Sequence, residues 1–203
     1  FDGEEKVFRV WTGSQSEGDK SMIGTFFNSS EHTMMIRKSS IEARLFINGE
    51  SNREYAVDSK TGIQGQIQWK NNLETKINNM EIRAKISGNA VDRKTISTSE
   101  GFYDSSQDQI IWNKNSQSKF AEVAPGDSGS VSFSFLPLSL FEALGGVTSS
   151  PVINIDIFIT GEQAEGDGAN KELSNKESKV IRIISDVGLS VKAIYSSGPF
   201  TNT

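Results

Sequence analysis

The sequence predicts an all-β protein, a sandwich or barrel of antiparallel strands, on the basis of three observations. Apolar residues recur at every second position in five segments, which is the period of a strand with one face in a core. Turn signals such as Asn48-Gly49 and Pro125-Gly126-Asp127 separate these segments. A short helix is predicted only from Leu138 to Leu144, so the pattern lacks the long helices that a parallel α/β sheet requires.

In each of the five segments, the residues between the apolar ones are mostly polar, so one face of each strand should be buried and the other hydrated. The in-phase residues, in chain order, are Ile41, Ala43, Leu45 and Ile47; Ile63, Gly65, Ile67 and Trp69; Met80, Ile82, Ala84 and Ile86; Val131, Phe133 and Phe135; and Ile153, Ile155, Ile157 and Ile159.

Composition excludes several classes of function. Of the 203 residues, 35% are hydrophobic and 23% are charged, which is enough apolar material for a buried core. The net charge of −5, with Lys and Arg dispersed, argues against nucleic-acid binding. The absence of cysteine excludes thiol catalysis, cysteine-based zinc sites and disulfides. No apolar run reaches the ~18 residues of a membrane helix, so no membrane contact is expected within this segment. Because residue 1 is Phe and not Met, we expect a piece of a longer protein.

An octet occurs twice, once near each end of the chain. Thr12 to Asp19 reads TGSQSEGD and Thr160 to Asp167 reads TGEQAEGD, so six of eight positions are identical at an offset of 148. At the same offset, the alternating pattern that begins at Ile41 matches the one that begins at Leu189. This match predicts a tandem repeat with a period of about 148 residues, in which each octet forms the loop of a unit's final hairpin.

The repeat divides the chain into three parts. We expect 1–38 to be the last strands of a preceding unit, 39–186 to be a complete sandwich, and 187–203 to be the first strand of a following unit. Neither junction contains a Gly/Ser/Pro tract, so successive units should be stiffly coupled. The apolar, unpaired edges of the end segments predict strand pairing with neighbouring units, or with other copies in a homopolymer.

Within 63–203, three runs of sequence resemble a known family: ISGNAVDRKTISTSEGFYDSSQDQIIWNK, FAEVAPGDSGSVSFSF and SDVGLSVKAIYSSGPFTNT. They resemble the long tandem-repeat envelope proteins of bacteria, which are built of immunoglobulin-like β-sandwich units of an uncharacterised conserved-repeat type. The shared features are a Gly-Phe-Tyr-Asp turn, an Ile-Trp strand, and Ala-Pro-Gly-x-Ser-Gly before an alternating strand. The resemblance implies immunoglobulin-like sandwich units in a membrane-anchored, surface-exposed array, and it brings no catalytic residue, cofactor or metal.

One motif suggests an enzyme. Gly126-Asp127-Ser128-Gly129 has the sequence that surrounds the nucleophile of trypsin-like serine proteases, and His32 precedes it as their histidine does. However, Ser130-Val131 departs from the protease pattern, and the repeat places His32 and Ser128 in different units. A turn in which Asp127 and Ser128 bond the local backbone before a strand also explains the motif, so we expect no catalysis.

Two acidic groups raise the question of calcium. Calcium requires six or more oxygen ligands at compact spacing, and neither group supplies them alone, so solvated turns are the expectation. The groups are Asp104 and Asp108 around the YDSSQD turn, and Glu162, Glu165 and Asp167 at the repeated octet, where Glu17 and Asp19 match Glu165 and Asp167.

The aromatic residues divide into two groups. Trp69 and Trp112 alternate in phase with apolar neighbours and are expected in the core, not on a sugar-binding platform. Trp11 aligns with Ile159 at the repeat offset, which also predicts burial. Phe46 and Phe158 are out of phase and are candidates for contacts with neighbouring units or partners. Two modifications remain open: glycosylation of the sequon Asn28-Ser29-Ser30, and isopeptide cross-links between Lys and Asn or Asp on facing strands.

These features predict a non-catalytic spacer repeat of an extracellular bacterial stalk or fibre, in which strand ladders bear tension in shear. The alternative is a calcium-dependent or glycan-binding adhesin module. A trypsin-like serine protease, from Gly126-Asp127-Ser128-Gly129, is the third interpretation.

Overall fold

The computed structural model describes residues 4–36, 38–138, 151–164 and 170–184. The expected helix from Leu138 to Leu144 lies outside these residues except for Leu138, and so do residues 187–203. No helix in the described part of the chain is long and apolar enough to cross a membrane. The described strands are β1 (Glu5–Gln15), β2 (Ile23–Met35), β3 (Ile41–Ile47), β4 (Glu54–Asp58), β5 (Ile63–Asn71), β6 (Ile77–Gly88), β7 (Val91–Thr98), β8 (Phe102–Asp104), β9 (Gln109–Trp112), β10 (Glu122–Val123), β11 (Ser128–Pro137), β12 (Val152–Ala164) and β13 (Asn170–Ile184), with a 3₁₀ turn at Ser118–Ala121.

Strands β3 to β13 form two sheets that enclose one core. One sheet has the order β4-β13-β12-β6-β9-β8, with β10 added to β6, and the other has the order β3-β5-β11-β7. The all-β sandwich prediction is confirmed, and the five alternating segments become β3, β5, β6, β11 and β12 with their in-phase residues buried. Burial of these apolar side chains is the main favourable contribution to folding.

One strand pair departs from the antiparallel arrangement of the sandwich. β4 pairs with β13 in parallel, from Val180 opposite Glu54 to Ile184 opposite Asp58. Directly after β3, the Asn48-Gly49 turn reverses the chain, since Ile47 and Glu50 exchange main-chain hydrogen bonds of 2.9 and 2.8 Å. Both turn residues have positive φ angles, of 49° and 86°. The chain then enters the other sheet as β4.

Side chains of β13 bond to the main chain at the free edge of β3. β3 is an edge strand, so its outward N–H and C=O groups have no neighbouring strand. Every second residue of β13 supplies a polar group to this edge or to the loop after it, and we call these three residues the β13 clasp. The bonds are Asn175 Nδ2 to Ile41 O (2.8 Å), Leu45 N to Glu177 Oε2 (2.8 Å), and Lys179 Nζ to Asn52 O (2.7 Å).

Lys179 is the buried cation of the clasp, since only 1% of its surface is exposed. Burial lowers the pKa of its ammonium group, because desolvation disfavours the charged form. The ammonium bonds a main-chain carbonyl, not the side-chain amide or carboxyl that an isopeptide cross-link would need.

β1 and β2 form a separate hairpin. Within the described residues, these two strands pair only with each other, and every residue of both is exposed. Trp11, which the repeat predicted to be buried, is 54% exposed, because no second sheet covers this hairpin in the described structure. The exposed large apolar side chains between residues 7 and 36 are Val7, Phe8, Val10, Trp11, Met22, Ile23, Phe26, Phe27, Met34, Met35 and Ile36.

The β1–β2 hairpin corresponds to the β12–β13 hairpin at the offset found in the sequence. Gln15 pairs with Ile23 near the first tip, and Gln163 pairs with Lys171 near the second, so both positions shift by 148. Further from the tip the correspondence is weaker, because β2 contains extra residues at irregularities beside Gly13. The two hairpins also differ in residue type, since the exposed Arg9 of β1 stands where β12 has the buried Ile157.

Candidate functional site

The protease-like motif forms a structural turn. Asp127 N donates to Ala124 O at 3.1 Å, and Asp127 O accepts from Asn71 N at 2.8 Å, so main-chain bonds fix the turn before β11 begins at Ser128. His32 lies on β2, which pairs only with β1, and no hydrogen bond joins it to Ser128. The local-turn interpretation is therefore supported, although the bonds come from the main chain and not from the side chains of Asp127 and Ser128.

Asn71 closes this end of the sandwich, and the sequence interpretation did not single it out. It is buried at the end of β5, and its amide joins that strand to the segment before β11. The sequence contained a signal for it, because the polar Asn71 stands in phase with Ile67 and Trp69, where an apolar residue is expected. The four side-chain bonds are Nδ2 to Thr75 O (2.9 Å), Val123 O (3.2 Å) and Ala124 O (3.0 Å), and Leu73 N to Oδ1 (2.9 Å).

The carboxylates near β8 are occupied by structural bonds. Asp104 Oδ1 accepts from the main-chain N–H and the hydroxyl of Ser106, which lowers the pKa of Asp104. Asp108 Oδ1 accepts from Arg93 Nε at 2.7 Å and from the Tyr103 hydroxyl at 2.8 Å. The Arg93 guanidinium lowers the pKa of Asp108, whereas burial and then the bond to Asp108 raise the pKa of Tyr103.

The acidic residues of the repeated octets are only partly described. Glu162 Oε2 accepts from Asn79 Nδ2 at 3.2 Å and from Asn170 Nδ2 at 3.0 Å, whereas Glu165 and Asp167 lie outside the described residues. In the first octet, Asp19 accepts from Ser21. Across the described ranges, no three His, Asp or Glu side chains are grouped as metal ligands would be.

Replacing Asp108 with asparagine should destabilise the protein at neutral pH. The variant loses the ion pair with Arg93, so we expect the free energy of unfolding to fall by about 1 kcal/mol at pH 7. The pKa of Asp108 is lowered from 3.8, so its contribution is present above that value and is lost as the pH falls through the folded-state pKa. Urea unfolding at pH 7 and pH 2 measures this difference, which should be smaller at pH 2. The control Asp104→Asn keeps an oxygen that accepts from Ser106 and should change stability less than Asp108→Asn does. Equal losses in both variants would contradict the assignment.

The aromatic residues lie largely where the alternation predicted. Trp69 and Trp112 are buried, with 3% and 0% of their surfaces exposed, which confirms them as core residues. Phe158 is 39% exposed on the outer face of its sheet, with Lys176 Nζ 4.9 Å from its ring centre. Phe46 is half-buried on the outer face of the four-stranded sheet. Contacts of Phe46 and Phe158 with partners remain a prediction.

The outer face of the four-stranded sheet carries a cluster of neutral polar side chains that the sequence interpretation took only as hydrated. We call this surface the Ser/Gln face. Cross-strand pairing places Ser130 beside Gln68, Ser132 beside Gln66 and Ser134 beside Gln64, and β7 adds Ser97 next to Ser134. Two adjoining open depressions, of about 550 and 510 Å³, lie along these rows. Residues that define the face are Gln64, Gln66 and Gln68 of β5 and Ser130, Ser132 and Ser134 of β11.

No protein-family model matches this sequence, and no curated protein matches it. Among solved structures, the major pilin subunit BcpA of Bacillus cereus is similar at 7% identity, with a TM-score of 0.42 over 88% of this chain and 55% of that one. AvmM, which catalyses macrocyclization in alchivemycin A biosynthesis, is similar at 8% identity, with a TM-score of 0.42 over 76% of this chain and 94% of that one. An exo-β-N-acetylglucosaminidase from Vibrio harveyi is similar at 9% identity, with a TM-score of 0.36 over 72% of this chain and 18% of that one. The chain spans about half the length of the pilin subunit, and these likenesses concern β-rich architecture only.

Proposed function

We propose that this chain is a structural spacer segment of an extracellular bacterial surface stalk or fibre, that it is non-catalytic, and that it is built from tandem immunoglobulin-like sandwich units. The observation that carries the proposal is the correspondence of the two hairpins at an offset of 148. A repeated unit needs each terminal hairpin to lie between two other strands, as β12–β13 lies between β6 and β4. In this proposal, 1–38 ends one unit, 39–186 is a whole unit, and 187–203 begins the next.

The arrangement of the first and last strands suits a tension-bearing role. Asn175 of β13 bonds Ile41 at the start of β3, and Ile184 at the end of β13 pairs with Asp58 of β4. These two points of β13 are about 30 Å apart at the usual rise of a strand. Tension applied before Ile41 and after Ile184 would therefore pull along the strands and load the β4–β13 ladder in shear.

Partners follow from the exposed hairpin. A strand edge with large apolar side chains on its faces recruits other strands. We propose that β1–β2 is covered by strand pairing with a neighbouring unit, or with another copy of the chain in a head-to-tail polymer. A head-to-tail contact is heterologous, so it propagates into a fibre and does not close into a dimer.

The full chain is therefore expected to self-associate as its concentration rises. Multi-angle light scattering should show an average mass that increases with concentration, and Phe8→Lys with Val10→Lys, on one face of β1, should reduce this increase. The matched control is Leu136→Lys with Asn154→Lys, which places two lysines at exposed positions of the sandwich and should leave association unchanged. The proposal is contradicted if the chain stays strictly monomeric at high concentration, or if the β1 variant and its control change association equally.

The calcium-dependent alternative makes the opposite prediction in a thermal measurement. The spacer proposal expects the same Tm in excess calcium and in chelator. A ligand present at 100 times its Kd stabilises the folded state by about 2.7 kcal/mol, which is a shift of several degrees for a domain of this size. A drop in Tm of that order in chelator would favour the adhesin alternative.

A further inference from the structure

We propose that the Ser/Gln face binds an extended, neutral glycan chain. The proposal is independent of the spacer function, since a spacer unit can carry such a site or lack it. It rests on four properties of this surface: its unused hydrogen-bonding groups, the lack of charge in two of its three rows, its flanking aromatic ring, and its shape.

The hydrogen-bonding groups of the face are largely unused within the protein. In the described chain, the side chains of Gln64, Ser130 and Ser134 have no hydrogen-bond partner. Gln66 and Gln68 approach each other only at 3.5 Å, which is long for a hydrogen bond. Amides and hydroxyls each donate and accept, and so do the hydroxyls of a sugar.

Two of the three rows, Gln64 with Ser134 and Gln66 with Ser132, carry no charge, and the residues that line the larger depression are uncharged. The third row is charged at its side, because Arg44 lies beside Gln68 across the β3–β5 ladder and pairs with Glu42 at 2.6 Å. The outer face of the other sheet differs, because it carries charges such as Arg83 paired with Glu81 at 2.6 Å. The neutral rows therefore favour a neutral ligand over an anionic polymer or a charged peptide.

An aromatic ring borders the neutral rows. Phe46 pairs with Gln66 across the β3–β5 ladder, so its ring stands at the side of the row that contains Ser132. Phe46 also lines the larger depression. The apolar C–H face of a pyranose ring packs against an aromatic ring while its hydroxyls bond neighbouring amides, which is the combination that this row offers.

The shape of the face favours a chain over a single sugar. The two depressions adjoin along β5, the larger one at Gln64 and Gln66 and the smaller one at Gln68 and Lys70. The three neutral positions, Gln64, Gln66 and Gln68, span about 13 Å at the usual strand rise, and Lys70 follows them at the far end of the smaller depression. Both depressions are open at the surface, so an extended polymer can lie along them without threading.

Affinity electrophoresis of the full 203-residue chain tests the proposal. Native gels would contain one soluble polysaccharide each: dextran, laminarin, arabinoxylan or galactomannan as neutral probes, and polygalacturonate or heparin as anionic ones. We expect at least one neutral polysaccharide to slow migration. The double substitution Gln66→Ala and Gln68→Ala should weaken that binding by about tenfold or more.

Matched variants separate binding from folding. Both glutamines are exposed, so the double variant should retain the Tm of the parent chain. Asn154→Ala, which removes an exposed amide from the outer face of the other sheet, should leave migration unchanged. The proposal is overturned if no neutral polysaccharide slows the chain, if only anionic ones do, or if the glutamine and asparagine variants behave alike.

Discussion

Replacing Trp112 with alanine is expected to lower the free energy of unfolding by about 3–5 kcal/mol. The indole has no exposed surface, and its ring centre lies 6.3 Å from that of Phe133 in the middle of the core. Its Nε1 donates to Ser99 O at 2.9 Å. Gly101 leaves room for the ring, because a Cβ there would lie 2.5 Å from Nε1. The substitution thus removes apolar contacts, leaves a cavity and removes the indole hydrogen bond to Ser99 O.

Chemical denaturation at pH 7 measures this loss, and two variants sharpen it. Trp112→Phe keeps part of the ring but not the N–H group, so its free energy of unfolding should lie between those of the wild type and the alanine variant. Trp11→Ala is the matched control on the exposed hairpin and should change stability by less than about 0.5 kcal/mol. A loss below about 1 kcal/mol for Trp112→Ala would mean that the ring is not a core residue.

Asn71→Ala is expected to cost about 3 kcal/mol, although it removes only a small polar group. The carbonyls of Thr75 and Val123 lose the amide donor in the variant, and each unsatisfied buried polar group costs roughly 1–3 kcal/mol before relaxation and water entry reduce the total. Ala124 O loses the same donor but keeps the bond from Asp127 N.

The side-chain chemistry at this position gives a second test. Asn71→Asp replaces the donating amide with a carboxylate that faces three carbonyl oxygens, so it should be at least as destabilising as alanine at pH 7. Part of that loss should be recovered as the pH falls, because the protonated carboxyl regains one donor. Urea midpoints at pH 7 and pH 4 report both effects. Asn154→Ala, which is exposed, serves as the control, and an Asn71→Ala variant as stable as this control would contradict the role assigned to the amide.

Alternation predicted some strands well and missed others for a physical reason. The inward positions of β5, β6, β11 and β12 are almost entirely apolar, so a period of two was visible. β13 also alternates, but its inward positions at Asn175, Glu177 and Lys179 are polar because they bond the edge of β3. A strand whose buried face is polar has no hydrophobic signature, and its pairing depends on residues more than 100 positions away.

The Ser/Gln face could not be found from the sequence for a related reason. Alternation predicted that Gln66 and Ser132 face water, and it was right. Their neighbourhood depends on the register between β5 and β11, which places residues 66 positions apart side by side. The prediction that Trp11 is buried was wrong for a different reason. The repeat position predicts burial only where a second sheet covers the hairpin, and none does in the described structure.

The β13 clasp has a consequence for how the protein is made on the ribosome. Ile41 and Leu45 receive their side-chain partners from residues that follow them by 134 and 132 positions. At a synthesis rate of 5–20 residues per second, the edge of β3 therefore remains uncovered for about 7–26 s. During that interval β3 presents an open strand edge, the kind of surface on which nascent chains mispair. Closure of the sandwich comes as a late event, dependent on nearly the whole segment having emerged, and a ribosome that stalls before β13 leaves that edge exposed to chaperones and proteases.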